Sequence, residues 1–182
     1  MQYKYEIKDR NYSDLASGRV FYSLPGHPAF PVRLASEIFQ RCLASREAIY
    51  RNSTPCTLYD PCCGAAYHLS VLAYLHRNHI RQIIASDIEQ EAVELAERNL
   101  GLLRLTGLDK RISEIRTMFE QYHKESHQDA LRSALTLRNE ISSAEEKYPI
   151  STTVFQASAT DRQRILSQIP AGSVDIIFTD IP

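Results

Sequence analysis

The loop at residues 57–66, with the sequence TLYDPCCGAA, joins a short strand to the start of a helix. The strand ends at Asp60, and the residues that follow are small. Small residues such as Gly64 let the backbone turn sharply and approach a ligand closely. The residues alone leave two interpretations open: a ligand-binding loop, or a tight turn between strand and helix with no ligand.

Strand and helix signals alternate along the rest of the chain. The predicted strands cover residues 57–59, 82–86, 152–155 and 174–178, and the predicted helices cover residues 31–50, 67–78, 91–105 and 162–168. A further short strand is predicted at residues 19–22, and a turn at residues 25–28. Such alternation predicts an α/β fold, a Rossmann-like, doubly wound and mainly parallel sheet.

Residues 109–148 are rich in charge and contain no strand signal. The stretch is too long for a plain loop in a compact domain, so we predict a helical insertion of one or two helices. The domain division is then an N-terminal segment and helix at residues 1–50, followed by a Rossmann-like domain at residues 51–182. The sequence stops just after the fourth strand, which predicts a sheet truncated at that point.

The composition excludes several classes of protein. The chain has 182 residues and a net charge of -1, so contact with RNA must come from a local patch rather than from overall basicity. No apolar run approaches the roughly 20 residues of a membrane helix, and the N-terminus lacks the apolar core of a signal peptide. We therefore expect a cytoplasmic protein that has no membrane partner.

The cysteines and histidines suggest no separate chemistry. The four cysteines form no CxxC pair, so no metal site is expected. Cys62 and Cys63 have no basic neighbour to lower a thiol pKa and are interpreted as small loop residues. His68, His76 and His79 lie on or after one helix, and we expect them at the surface or in packing.

Acids stand at the ends of three of the four predicted strands, namely Asp60, Asp87 and Asp180. Ligands of doubly wound sheets bind at the carboxyl ends of the strands. The loop after Asp60 has one glycine where the dinucleotide fingerprint has three, and a pyrophosphate would be repelled by the acid. The sulfonium and ammonium of S-adenosylmethionine suit an acid, which leaves a nicotinamide-binding domain as the weaker alternative.

Each acid or hydroxyl also has a structural interpretation. Asp87 can hold both hydroxyls of a ribose, or it can cap the next helix. Ser158 can meet the amine of an adenine, or it can cap the helix that follows. Asp180, followed by Ile181 and Pro182, can orient a nitrogen in line with the sulfonium methyl, or it can end a strand in an ordinary rigid turn.

The runs 58–64 (LYDPCCG), 84–87 (IASD) and 178–182 (FTDIP) resemble class I S-adenosylmethionine-dependent methyltransferases. More closely, they resemble rRNA guanine methyltransferases linked to resistance against orthosomycin antibiotics. The run 29–35 (AFPVRLA) and the helical insertion are similar to the same enzymes, so the resemblance covers residues 18–182.

The resemblance implies a fold, a donor and a substrate. It implies the class I methyltransferase fold, S-adenosylmethionine as cofactor, no metal, and 23S rRNA of the large ribosomal subunit as partner. It places the target nitrogen at Asp180 and Pro182. It implies donor contacts by Asp60, Pro61, Cys62, Cys63, Gly64, Ala66, Asp87, Ile88, Ala157 and Ser158. Residues 30–31 are implied to close over the donor, although a helix-opening Pro31 is the simpler account.

The sequence departs from the family pattern at two of these positions. Ala66 stands where many members have a second glycine, and Ser158 stands where an aspartate is common. Two alternatives therefore stay open beside an rRNA methyltransferase. One is a methyltransferase acting on DNA, a protein or a small molecule, and the other is a non-catalytic donor-binding fragment.

Overall fold

Four strands form one sheet in which every pairing is parallel. In this computed structural model, which describes residues 2–23, 26 and 28–181, the strands are β1 (Cys56–Asp60), β2 (Ile80–Asp87), β3 (Ser151–Gln156) and β4 (Ile176–Ile177). Their order is β3-β2-β1-β4, so the chain builds outward from β1 on one side and then returns to the other side. The point where the order reverses lies between β1 and β4, and ligands of such sheets bind there.

The helices mostly follow the predicted bounds. They are α1 (Val32–Tyr50), α2 (Tyr67–Leu75), α3 (Gln90–Gly101), α4 (Leu105–Tyr122), α5 (Glu125–Ala144) and α6 (Arg162–Gln168), with short 3-10 helices at Ser13–Leu15 and Arg77–His79. The helix predicted to reach residue 105 ends at Gly101, and α4 begins four residues later. The strand predicted at residues 174–178 is reduced to two residues, and the signal at residues 19–22 produces only a bridge between Ser17 and Phe21. Pro25 and His27 of the predicted turn lie outside the described residues.

Both faces of the sheet are covered by helices, as a doubly wound fold requires. Side chains alternate between the two faces along each strand. One face packs against α1, α2 and α3 through a core that includes Leu58, Ile83, Ala85, Ile176, Phe39, Leu69, Leu72 and Leu100. The other face packs against α6 through Tyr59, Ile84, Phe155, Ile165 and Ile169. The predicted fold class is therefore confirmed.

The predicted helical insertion consists of two helices, α4 and α5, that pack against one another. Its apolar side forms a core with the N-terminal segment and α2, built from Leu15, Val20, Phe21, Val71, Leu108, Ile112, Ile115, Ala134 and Leu137. Hydrogen bonds also join the insertion to the N-terminal segment. Arg111 Nε donates to the Val20 carbonyl over 2.8 Å, and Ser133 Oγ donates to Asp14 Oδ1 over 2.6 Å. The insertion is thus part of the core and not an appendage.

A buried carboxylate anchors the first residues of the chain. Glu37 of α1 is fully buried and accepts backbone N–H groups of Lys4 (2.7 Å), Tyr5 (2.7 Å) and Glu6 (2.9 Å). Its Oε1 also accepts from Arg41 Nε over 2.7 Å. Burial by itself raises the pKa of Glu37, but these donors outweigh burial and lower it to about 2.

This anchor predicts an acid-sensitive contribution to stability. The Glu37 carboxylate stabilises the fold fully above its ordinary pKa of 4.5, and the contribution is lost as the pH falls from there toward about 2. We expect Glu37→Gln to lower the melting temperature at pH 7, with the difference from wild type shrinking between pH 5 and pH 2. Thermal unfolding across that range measures it, and Glu47→Gln, an exposed acid on the same helix, is the control. A difference that does not vary with pH would contradict the assignment.

The break between α3 and α4 depends on a close approach of two glycines. A Cβ built on Gly107 would overlap the Gly101 carbonyl oxygen and lie 2.7 Å from its carbonyl carbon. Gly107→Ala should therefore destabilise the protein by about 1–3 kcal/mol, as overpacking does. Urea unfolding measures the loss. Gly101→Ala is the matched control, because a Cβ there meets nothing within 4 Å, and an equal loss in both variants would count against this reason.

Candidate functional site

The loop between β1 and α2 turns sharply through two left-handed residues. Gly64 has a φ of 51° and Ala66 a φ of 52°. Glycine adopts this conformation freely, whereas an alanine costs about 1–2 kcal/mol. The Ala66 N–H donates to the Cys63 carbonyl over 2.7 Å, and the Ala66 side chain is fully buried. Ala66 thus holds a left-handed conformation that a glycine would take without strain.

Asp87 ties this loop to the end of β2. Its Oδ2 accepts the Gly64 N–H over 2.8 Å, and its Oδ1 accepts the Glu89 N–H over 3.1 Å. The residue at the N-cap of α3 is Glu89, so the capping interpretation of Asp87 is not the one the structure shows. A carboxylate has about four acceptor sites, so two stay open toward a ligand.

Asp60 lies one layer below the loop. It is fully buried, and its Oδ1 accepts the Cys62 N–H over 3.0 Å. Its Oδ2 makes no hydrogen bond within the described residues and lies 3.3 Å from Nε2 of His68. Burial raises the pKa of Asp60, although His68 and the hydrogen bonds act against that rise. Asp60 therefore organises the loop from beneath.

A cavity of about 650 Å³ opens at the carboxyl ends of the strands. Its wall combines the loop, the ends of β2, β3 and β4, and part of the N-terminal segment, including Ser17, Tyr22 and Phe30. The charged carboxyl side chains on the wall are those of Asp87, Glu89 and Asp180, and no Lys or Arg lines it in the described part of the chain. The cavity is therefore acidic.

Most of the predicted site residues meet at this cavity. Those on its wall are Cys62, Cys63, Gly64, Asp87, Ile88, Ser158 and Asp180. Four predicted residues do not line the cavity but are sequence neighbours of residues that do: Asp60, Pro61, Ala66 and Ala157. Pro182 lies outside the described residues. Asp161 caps α6 by accepting the Arg164 N–H over 2.9 Å, so Ser158 is not the cap of that helix.

The two thiols of the loop behave as small loop residues, as the sequence suggested. All four cysteines are free. Burial raises the pKa of both the Cys62 and the Cys63 thiol, and the neighbouring acids Asp60 and Asp87 act in the same direction. Neither thiol is therefore activated as a nucleophile.

Sequence reasoning missed several residues of the wall. His68 was expected at the surface or in packing; it is buried and packed against Phe178, but it also lines the cavity between Asp60 and the end of β4, which the sequence did not predict. Its position one turn after Gly64, at the start of α2, was the available signal. Tyr22, at the end of the strand predicted at residues 19–22, and Ser17 come from the N-terminal segment, where no local pattern marks them as cavity residues.

Pro31 lies at the start of α1, and Phe30 lies on the cavity wall. Pro31 occupies the N-cap of α1, directly before the first helical residue. The Phe30 ring lines the cavity and packs edge-on against Phe178, with ring centroids 5.6 Å apart. Residues 30–31 thus start the helix and also form part of the cavity wall.

Within residues 2–23, 26 and 28–181, no three side chains of the types that bind metals converge as a metal site. Over the same residues, none of the helices has the length and apolar character needed to cross a bilayer.

The chain is similar to proteins of one known family. A family model described as the rRNA methyltransferase AviRa matches residues 1–182. A 23S rRNA (guanine(2535)-N(1))-methyltransferase of Streptomyces viridochromogenes is 43% identical over 181 residues, which are 99% of this chain and 70% of that relative. Two solved structures of the rRNA methyltransferase aviRa from the same organism, at 2.4 and 1.5 Å, each give a TM-score of 0.90 at 40% identity. The match covers 100% of this chain and 71% of each of those chains. The chain therefore belongs to the AviRa family of rRNA methyltransferases.

Proposed function

We propose that this methyltransferase transfers a methyl group from S-adenosylmethionine to N1 of a guanine in 23S rRNA. The charge of the cavity is the observation that supports S-adenosylmethionine as the donor. The cavity wall holds three carboxylates and, among the described residues, no Lys or Arg. Such a wall attracts a ligand with a sulfonium and an ammonium, and it repels a pyrophosphate. The substrate follows from the relative that methylates N1 of a 23S guanine.

The residues of the cavity fit the donor. The volume of about 650 Å³ lies within the range of small-molecule sites. Asp87 has acceptor sites for the two ribose hydroxyls, and the neighbouring Ile88, a residue that is 62% exposed, offers an apolar surface to a flat adenine ring. The Ser158 hydroxyl at the same end can meet the adenine amine.

We assign Asp180 the role of binding the target base. Its carboxylate is exposed on the cavity wall, where it can accept hydrogen bonds from N1–H and the N2 amine of a guanine. S-Adenosylmethionine, when bound, supplies a methyl group on a cationic sulfur. Transfer of that methyl group to N1 would break the carbon–sulfur bond and release the N1 proton, and we assign the Asp180 carboxylate as the base that would accept it.

The acidic cavity also determines how the RNA reaches it. RNA phosphates are repelled by its wall, so the guanine must leave its stack and enter alone, as bases do in other base-modifying enzymes. A ribosomal substrate implies a cytoplasmic enzyme, and the orthosomycin resistance implied by the sequence resemblance stays a prediction within this proposal.

Donor binding tests the assignment of Asp87. We expect Asp87→Asn to weaken the binding of S-adenosylmethionine about 10- to 100-fold, which is the effect of losing hydrogen bonds to a charged group. Isothermal titration calorimetry measures the dissociation constant, with NAD as the comparison ligand. Glu91→Gln removes an exposed charge from the first turn of α3 and is the control. Unchanged affinity in Asp87→Asn, or tighter binding of NAD, would refute the donor assignment.

Methyl transfer tests the assignment of Asp180. We expect Asp180→Asn to lower kcat on 23S rRNA about 10²- to 10⁴-fold, because the acceptor for the N1 proton is lost, while the donor affinity changes little. Incorporation of labelled methyl groups measures the rate, and a reverse-transcriptase stop identifies N1, since methylation there blocks base pairing. Full activity in the variant would remove Asp180 from the mechanism. Activity on DNA, protein or small molecules but not on 23S rRNA would favour the alternative substrate class.

A further inference from the structure

His68 joins two parts of the site that the proposed mechanism treats separately. One is the donor loop, residues 60–66, and the other is the target segment, residues 178–181. The His68 side chain is 7% exposed, and its Nε2 lies 3.3 Å from Asp60 Oδ2 and 3.4 Å from the Phe178 carbonyl oxygen. A carbonyl oxygen only accepts hydrogen bonds, so Nε2 carries the proton and faces an acceptor from each part.

The ring of His68 is fixed by aromatic packing. Its centroid lies 5.1 Å from that of Phe178 and 5.9 Å from that of Phe30. Phe30 and Phe178 also pack against each other, so the three rings form a closed cluster. A shift of the imidazole therefore moves Phe178, which lies two residues before Asp180.

Unpaired polar atoms mark the same place. Asp60 Oδ2 and Thr179 Oγ1 are buried, and neither makes a hydrogen bond within the described residues. Buried polar atoms in folded proteins nearly always have partners, so two such atoms next to lining residues of the cavity point to a contact that tightens when the site is filled. The donors that lie near the Asp60 carboxylate are the Nε2–H of His68, 3.3 Å from Oδ2, and the Thr179 hydroxyl.

We propose that His68 is a positioning residue for methyl transfer, which holds the target segment at a fixed distance from the donor loop. This inference rests on the proposed function. The imidazole acts as a neutral hydrogen-bond donor, because burial lowers the pKa of His68 more than Asp60, the Phe178 carbonyl and Asp180 raise it. By bridging Asp60 and Phe178, it sets the line between the methyl group and the nitrogen held by Asp180.

Two substitutions separate the N–H group from the ring. His68→Phe keeps an aromatic ring in the cluster and removes the donor, whereas His68→Gln places an amide N–H close to the position of Nε2. We expect His68→Phe to lower kcat about 100-fold, the scale of a 1 Å misplacement, with the donor dissociation constant and the KM for RNA nearly unchanged. His68→Gln should recover most of kcat.

Hydrogen exchange gives a readout that needs no RNA. We expect S-adenosylmethionine to slow amide exchange in both the donor loop and the target segment of the wild type. In His68→Phe the donor loop should still be protected, while residues 178–181 should not. If the phenylalanine variant does not fold, His68→Gln is compared with His68→Asn, whose amide is too short to bridge; the glutamine variant should keep protection and the asparagine variant should lose it.

The outcomes distinguish the two proposals. A wild-type chain that binds the donor but does not methylate 23S rRNA refutes the proposed substrate, while the exchange experiment still tests His68. Wild-type kcat together with full protection of residues 178–181 in His68→Phe would show that His68 only packs. Failure of glutamine to restore either readout would likewise overturn the positioning role, and a wild-type chain that does not bind the donor would overturn both proposals.

Discussion

The hydrogen bond from the Gly64 N–H to the Asp87 carboxylate, 2.8 Å long, is the contact on which the site depends. This hydrogen bond holds a loop with two left-handed residues against the end of β2. A backbone hydrogen bond from the Cys63 N–H to the Ser86 carbonyl, 3.0 Å long, lies beside it. The strain at Ala66 persists because these bonds and the buried side chain hold the loop in place. The same carboxylate that closes the loop faces the cavity, so loop structure and ligand binding share one group.

The acidity of the cavity favours binding of the donor over binding of the product in the proposed reaction. A cationic donor is attracted by the three carboxylates on the wall, and transfer of the methyl group leaves the sulfur neutral. The product is therefore attracted less than the donor, which favours its release. The same field keeps phosphates out, so affinity for RNA must come from surfaces outside the cavity. A chain with a net charge of -1 is consistent with that division, because only local patches need to contact the RNA.

Local signals predicted the strand ends and their acids, because strand periodicity and turn chemistry are properties of neighbouring residues. Contacts between distant parts of the chain were beyond such signals. His68 lies on an apolar helix face, and only the return of β4 beside β1 brings Phe178 to it. The end of α3 was missed for a related reason: the leucines at positions 102, 103 and 105 continue an apolar pattern, whereas the close approach of Gly101 and Gly107 that bends the chain depends on the tertiary fold.

Asn99 shows how the outer parts of the chain are coupled to the donor loop. This fully buried amide accepts the Tyr22 N–H over 2.8 Å and donates to the carbonyls of Tyr22 (2.9 Å) and Ala65 (2.8 Å). The Tyr22 ring is in turn stacked by the guanidinium groups of Arg98 and Arg111, at 3.7 and 4.2 Å from its centroid.

Through this chain of contacts, α4 of the insertion supports the segment before α1, and that segment supports the loop. The division of the chain at residue 50 stays a prediction. Residues from both sides of that division line the cavity. A change in the insertion can therefore reach the donor loop without touching a ligand, because Tyr22 and Ala65 share one buried amide whose hydrogen bonds cannot be replaced by water.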